Sequence, residues 1–247
     1  MKIFQMVNIV PLFLFILLGC VKNKANTEEN LMGFYYSLRE RDIVTIKKYL
    51  ESGIDPDHGS NTLYWDDRNP LWMILDGGTI DIDLDILKLL IDFGANVNLR
   101  PYIWHTLDQR ILTEENIAWM EAADGRAITG TTIDLMQKKI EILIKAGADV
   151  TRKGAPNRQL FPSTEKKYHK YFEREGSKPI NYAIKKNFPT IVDLLSQYTI
   201  LDEESLDAAK LSKDPSMIEK INKMWEKQQP GVTSTKFEEK GKYNENK

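Results

Sequence analysis

The feature that most constrains the fold is a segment that occurs twice, as LLIDFGANVN at residues 89–98 and as ILIKAGADVT at residues 142–151. When Gly94 is aligned with Gly147, apolar residues match upstream, and the triplets Ala-Asn-Val and Ala-Asp-Val match downstream. Apolar residues three and four apart predict a helix, and the glycine predicts a left-handed residue at its C-terminal end. A third copy ends at Gly53, so the sequence predicts a repeat protein.

A second motif, in which proline precedes an apolar helix, occurs as NPLWMIL at residues 69–75 and as KPINYAI at residues 178–184. Proline suits the first helical turn, where its missing N–H is not needed. Together the two motifs resemble the ankyrin repeat, in which a T-P-L-H-x-A segment opens one helix, an I-V-x-L-L segment forms the next, and G-A-D/N closes the unit. Residues 178–195 follow that spacing without a gap. The resemblance implies an all-α, ankyrin-like helical repeat solenoid.

The sequence also departs from the family pattern. Asn69 and Trp72 replace the Thr and His of the motif in one unit, and Lys178 and Asn181 replace them in the other. The usual Thr–His hydrogen bond is therefore absent. The ankyrin period is about 33 residues, whereas the three glycines lie 41 and 53 residues apart. We therefore expect long inter-repeat loops.

These signals predict a repeat domain over residues 31–226. It contains helix pairs at residues 31–52, 69–93, 112–146 and 178–197 and a C-terminal pair at residues 203–226. In the last pair, Asp214 and Pro215 are a helix-start signal before an amphipathic segment. Because an end repeat must cover an otherwise exposed apolar face, we interpret this pair as a helical cap. The polar residues 227–247 predict a disordered tail.

The N-terminus resembles a bacterial lipoprotein signal. Lys2 precedes a short apolar run that ends in LLGC at residues 17–20, and the run is shorter than the roughly 20 residues that a spanning helix needs. The LLGC sequence resembles a lipobox, which implies a signal peptide over residues 1–19, lipidation of Cys20, and a lipidated tether over residues 20–30. The alternative is an ordinary secretory signal or an uncleaved anchor with an incidental cysteine.

The lipobox resemblance also predicts a location. Each buried lipid CH₂ adds about 0.8 kcal/mol of membrane affinity, so an acylated Cys20 would anchor the chain firmly. Val21 rather than Asp follows Cys20, which by resemblance to enterobacterial lipoproteins favours the outer membrane, facing the periplasm. Cys20 is the only cysteine, so no intramolecular disulfide supports the fold in that compartment.

Signals for catalysis, metals and cofactors are weak, and we predict none of the three. The three histidines, His58, His105 and His169, lie far apart in the sequence, without H-E-x-x-H spacing. The run DIDLD at residues 81–85 imitates a calcium loop, but Ile86 and Asp92 stand where an EF-hand needs Gly and Glu. We interpret these acids instead as capping and solvating the start of a helix.

Aromatic residues beside charged ones in the inter-repeat segments favour protein recognition. In the ankyrin family the loops and inner helices form the binding face, and by position that resemblance implies the following candidates: Trp65, Asp66, Asp67, Arg68, Trp72, Tyr102, Trp104 and His105. The alternative is that these aromatics fold back to cover the stack. Trp119 and Trp225 lie in amphipathic stripes and are predicted core residues.

With 34 basic and 36 acidic residues, the chain has no broad basic field for nucleic acid. The basic, aromatic run KKYHKYFER at residues 166–174 could bind RNA or anionic lipid, or it could be a solvated short helix. No nucleic-acid partner is predicted, and a monomer is expected, although no motif decides the oligomeric state.

The resemblance implies a membrane-anchored, non-catalytic protein-binding module in the bacterial envelope, with a protein as its partner. Three alternatives remain at this stage. The protein could be a periplasmic immunity protein that neutralises a toxin or effector, an envelope enzyme such as a hydrolase, or a structural spacer.

Overall fold

A computed structural model describes residues 27–59, 69–76, 82–109, 111–112, 130–154 and 176–228. Every regular element in these ranges is a helix. Extended pairing is limited there to two isolated bridges, a parallel one between Ile111 and Thr131 and an antiparallel one between Gly154 and Ser177. The prediction of an all-α protein is therefore confirmed for the described residues.

The helices are as follows: α1 (Glu28–Glu40), α2 (Ile43–Glu51), α3 (Pro70–Leu75), α4 (Ile82–Asp92), α5 (Tyr102–Leu107), α6 (Ile133–Lys145), α7 (Pro179–Lys185), α8 (Pro189–Leu195), α9 (Glu203–Ser212) and α10 (Pro215–Gln228). No helix in the described ranges combines the length and the apolar composition needed to cross a bilayer.

The chain divides into two compact units, one comprising Met1–Val97 with Arg110–Leu135 and the other Asn98–Gln109 with Met136–Lys247. In the first unit, α1 packs on α2 and α3 packs on α4, while α1 also contacts α3 and α2 contacts α4. In the second unit, α7 packs on α8 and α9 on α10, and α7 also contacts both α5 and α9. In the first unit both helices of one pair thus contact their counterparts in the other pair, and in the second unit the first helices of the two pairs, α7 and α9, do so.

Local sequence signals explain where the helices begin. The Asp42 and Asn69 side chains accept hydrogen bonds from the N–H groups of Thr45 and Trp72, at 3.1 and 3.0 Å, and so cap α2 and α3. Proline occupies the first turn of α3, α7 and α8. Asp202 and Ser205 form a reciprocal capping box at the start of α9.

Apolar residues at helical spacing supply the core of each unit. In the first unit these fully buried side chains include Phe34, Leu38, Ile46, Leu71, Leu87 and Leu90. In the second unit they include Ile140, Leu143, Ile180, Ile191, Leu195 and Ile221. Trp225 is also buried, which confirms its predicted core position. Burying such aliphatic side chains contributes about 1.5–3 kcal/mol each, which explains why these stripes hold the helix pairs together.

The three repeat glycines end their helices in one shared geometry. Gly53, Gly94 and Gly147 have φ of 95°, 94° and 87°, a left-handed conformation that glycine adopts without a Cβ penalty. The residue after each glycine donates its N–H to a carbonyl five residues earlier, as from Ala95 to Leu90 and from Ala148 to Leu143. This pattern is a Schellman motif, so the predicted left-handed C-caps are confirmed.

A hydrogen bond recurs between successive glycine loops. In the first unit, the carboxylate of Asp57, four residues after Gly53, accepts from the N–H of Asn96 at 3.0 and 2.9 Å. In the second unit, the amide oxygen of Asn98, four residues after Gly94, accepts from the N–H of Asp149 at 2.7 Å. Asn96 and Asp149 each lie two residues after their own glycine. The sequence repeat is therefore matched by a repeated contact.

The structure corrects several predictions. Helix α1 begins at Glu28, inside the predicted tether, and α10 continues to Gln228, inside the predicted tail. Asp83 is not a solvated cap, because it is fully buried and its Oδ1 accepts from Arg41 Nε at 3.0 Å. A charge removed from water needs such a partner.

Several predicted features lie outside the described residues. They are the signal peptide, Cys20, Trp119, the 166–174 run and the tail beyond residue 228. In the pair predicted at residues 112–146, the described part contains one helix, α6, which begins at Ile133.

Candidate binding site around Trp104 and Tyr182

Four of the eight predicted binding residues are described. Trp65, Asp66, Asp67 and Arg68 lie outside the described residues. The other four, Trp72, Tyr102, Trp104 and His105, are each less than 10 % exposed. These four side chains therefore pack in the interior and form no open contact surface. This burial agrees with the alternative that the aromatics fold back to cover the stack.

The prediction that Tyr102, Trp104 and His105 lie in a loop is wrong. The structure places all three in helix α5, which Pro101 precedes. The helix forms because Tyr102, Ile103 and Leu107 bury their side chains, and α5 contacts α7 in the second unit. The sequence RPYIWHTL is therefore a further version of the proline-led helix start found in NPLWMIL and KPINYAI.

Trp104 forms the inner part of the site. Its ring centroid lies 5.2 Å from that of Tyr182, with a tilt of 59° between the planes, a separation typical of favourable aromatic pairs. Gly154 lies against the same indole so closely that a Cβ there would overlap the ring. The indole Nε1 is buried and has no hydrogen-bond partner among the described residues. Packing therefore holds Trp104 in place.

Tyr182 forms the outer part of the site and is half-buried. Its hydroxyl donates to the carboxylate of Asp108, which directly follows α5. The Lys186 ammonium lies 5.4 Å from the centroid of the Tyr182 ring, within cation–π range. Burial, and then the neighbouring Asp108, raises the pKa of Tyr182 well above its usual value. The phenol therefore stays protonated and remains a hydrogen-bond donor.

A polar network links α7 to α9 beside this aromatic pair. Lys178 Nζ lies 2.5 Å from Asp202 Oδ2, and Ser205 Oγ donates to Asn181 Oδ1 at 2.6 Å. Burial works against ionisation of Asp202, but its hydrogen bonds with Lys178 and Ser205 bring its pKa below the usual value. Lys178 and Asn181, which stand where the ankyrin motif has Thr and His, thus bond to the start of α9 instead of to each other.

The residues that surround Tyr182 were not among the predicted binding residues. A signal for them is present in the sequence, because aligning Pro101 with Pro179 places Trp104 opposite Tyr182. A similar alignment places Tyr36 of α1 at the same position, since Tyr36 precedes the left-handed Arg41 by five residues, just as Tyr182 precedes the left-handed Asn187. Tyr36 is 61 % exposed. Each unit therefore carries a tyrosine at this helix position.

The described side chains offer aromatic rings, hydroxyls and charges suited to non-covalent recognition. Among them, no group of three or more His, Cys, Asp or Glu residues is placed to hold a metal ion. The Trp104–Tyr182 pair, with Asp108 and Lys186, combines apolar area with charged edges, a composition typical of protein interfaces. No protein-family model matches the chain, and no curated protein matches it, so these contacts themselves carry the functional interpretation.

Proposed function

We propose that this protein is a membrane-anchored lipoprotein of the ankyrin-repeat type that works as a non-catalytic protein-binding module in the bacterial envelope. The observation that carries the proposal is the placement of Tyr36 and Tyr182. Each lies five residues before a left-handed residue that ends its helix, Arg41 or Asn187. Tyr36 is exposed and Tyr182 is half-buried, so both present ring surface outside the core. Tyrosine is enriched among residues that dominate binding energy at protein interfaces.

Two further features support the repeat architecture on which this proposal depends. The Asp57–Asn96 and Asn98–Asp149 hydrogen bonds join successive glycine loops in the same register. In the first unit, α2 and α4, the helices before Gly53 and Gly94, contact each other, and each packs against its own pair partner. Stacked repeats bury a continuous core and leave one row of helices available for a partner.

Lipidation of Cys20 would place this module at a membrane, in our proposal at the outer membrane and facing the periplasm. Replacing Cys20 with Ser removes the thiol that the lipid modifies. We expect the Cys20→Ser protein to leave the membrane fraction of the native host, since a lipid chain would supply the anchor. If fractionation is unchanged, the lipoprotein part of the proposal is wrong.

A capture experiment tests the binding part. The full chain, extracted in detergent from its native host, is immobilised and exposed to envelope and secreted proteins, and bound proteins are identified by mass spectrometry. We expect a stoichiometric protein partner whose affinity falls about 10-fold in Tyr182→Ala or Tyr36→Ala, because an interface tyrosine contributes about 1–2 kcal/mol or more.

Tyr198→Ala is the matched control, because Tyr198 is also exposed, at 52 %, but follows the end of α8 and does not stand at the helix position that Tyr36 and Tyr182 share. Retained capture by this variant, together with loss in the other two, supports the proposal. Equal capture by all three variants would remove Tyr36 and Tyr182 from the binding site. Absence of any partner, even after cross-linking, would contradict a binding module.

A further inference from the structure

Helix α7 carries Tyr182 and two lysines on one face, beside the Trp104–Tyr182 pair. Tyr182, Lys185 and Lys186 stand at positions i, i+3 and i+4, and residues with that spacing share one face of a helix. Lys185 and Lys186 are exposed, and Tyr182 is half-buried. This group, which we call the α7 face, therefore combines an aromatic ring with two adjacent positive charges.

The two lysines of the α7 face differ from Lys210 of α9 and Lys223 of α10, which form ion pairs with acids on their own helices. On α9 and α10, Lys210 lies 3.1 Å from Asp207 and Lys223 lies 2.6 Å from Glu219. By contrast, no described carboxylate lies within ion-pair distance of Lys185 or Lys186. The α7 face thus holds positive charge that the described part of the chain leaves uncompensated.

Asp108, the acid that is bonded to Tyr182, forms no ion pair with either lysine of this face. One of its carboxylate oxygens already accepts the Tyr182 hydroxyl. The Lys186 ammonium lies over the Tyr182 ring instead of bonding to Asp108. An incoming carboxylate can therefore reach the two ammonium groups without displacing an ion pair, so this arrangement favours an anionic ligand over a cationic one.

We propose that the α7 face docks an acidic segment of a partner protein, whose Asp or Glu side chains accept hydrogen bonds from Lys185 and Lys186. An apolar or aromatic side chain of the same segment packs on the exposed edge of Tyr182, which Trp104 supports from within. This inference rests on the proposed binding function and specifies the chemistry of the partner. The rigid aromatic pair supplies contact area, and the lysines supply charge selectivity.

Selection from a library of random 12-residue displayed peptides tests this inference. The target is the full chain in detergent, compared with Lys185→Gln/Lys186→Gln and with the control Lys210→Gln/Lys223→Gln. The control loses the same net charge but leaves the α7 face intact. We expect peptides enriched in Asp and Glu beside an aromatic residue to be selected by the parent and the control, and not by the α7 variant.

One selected peptide is then measured against all three proteins. Its affinity should fall about 10-fold for the α7 variant and less than about 2-fold for the control, since each exposed ion pair contributes up to about 1 kcal/mol. For the parent, affinity should fall as salt rises, because exposed charges are screened. Thermal transitions of the three proteins show whether the folds are intact.

Several results would overturn the inference. They are selection of peptides without acidic enrichment, equal selection by the α7 variant, or failure to select any peptide. Failure here is distinguishable from failure of the proposed function. A native partner that is captured equally well by the α7 variant keeps the binding module and rejects the acidic docking site.

Discussion

Each unit contains a hydrogen-bonding contact between successive glycine loops, and the two contacts use different side chains. In the first unit, Asp57 uses both carboxylate oxygens to accept the Asn96 N–H. In the second unit, Asn98 accepts from the Asp149 N–H and also donates its own amide to the Gly147 carbonyl at 2.9 Å. A neutral amide can therefore bond in both directions, whereas a carboxylate only accepts.

The two contacts also differ in whether their strength depends on pH. Burial raises the pKa of Asp57 above its usual value, and the nearby Asp55 adds to the rise, although the Asn96 N–H opposes it. Asn98 has no charge to titrate. One repeat register can thus be held by a pH-dependent contact in one unit and by a pH-independent contact in the other.

The largest expected effect comes from Asn98→Ala. This change removes two hydrogen bonds that each contribute roughly 0.5–1.5 kcal/mol, so the free energy of unfolding should fall by about 2 kcal/mol. Asp57→Ala removes the hydrogen bond from the Asn96 N–H, but it also removes the desolvation cost of a partly buried charge. The free energy of unfolding should therefore fall by about 1 kcal/mol or less. Urea unfolding measures both. A larger loss in Asp57→Ala would mean that the carboxylate contact is the stronger one.

An intermediate effect is expected from the glycines that precede these contacts. Gly94→Ala and Gly147→Ala should each lower the free energy of unfolding by about 1 kcal/mol, because both positions have positive φ. An added Cβ meets no atom within 4 Å at either position, so backbone strain alone acts and the two costs should agree. A clear inequality in urea unfolding would show that the two loops are not equivalent.

The smallest effect is expected from Asp57→Asn. This variant directly tests the difference between the charged Asp57 contact and the neutral Asn98 contact. A folded-state pKa above the unfolded value means that the folded protein binds this proton more tightly and loses stability as pH rises through that range. The variant lacks this loss. Its stability relative to the parent should therefore rise as the pH increases through and above the ordinary Asp pKa, and only slightly, because this carboxyl group is only partly buried. A constant or falling difference in urea unfolding across this window would contradict the assignment.

The sequence predicted the repeat elements that depend on local rules. Gly53, Gly94 and Gly147 mark left-handed C-caps because glycine alone adopts that backbone freely, and Pro70 and Pro179 mark first turns. Apolar stripes such as Met217, Ile221 and Trp225 predicted the last helix for the same reason. Such signals need no knowledge of distant contacts.

The sequence did not reveal features that depend on packing between helices. Helix α5 has only six residues, too few for a clear helical period, so its aromatics resembled loop residues. Asp83 looks like a solvated first-turn acid until Arg41 is found 3.0 Å away. The aromatic pair of Trp104 and Tyr182 joins residues 78 positions apart in the sequence, a separation that no local pattern encodes.

The packing of Trp104 against Tyr182 also makes the indole an optical reporter of the α7 face. Its ring is shielded from water by Gly154 on the second-unit backbone and by the Tyr182 phenol. A ligand that shifts Tyr182 changes the polarity around Trp104 and hence its emission. Because the chain has five tryptophans, the difference in emission between the parent and a Trp104→Phe variant isolates this signal and reports occupancy of a surface that carries no label.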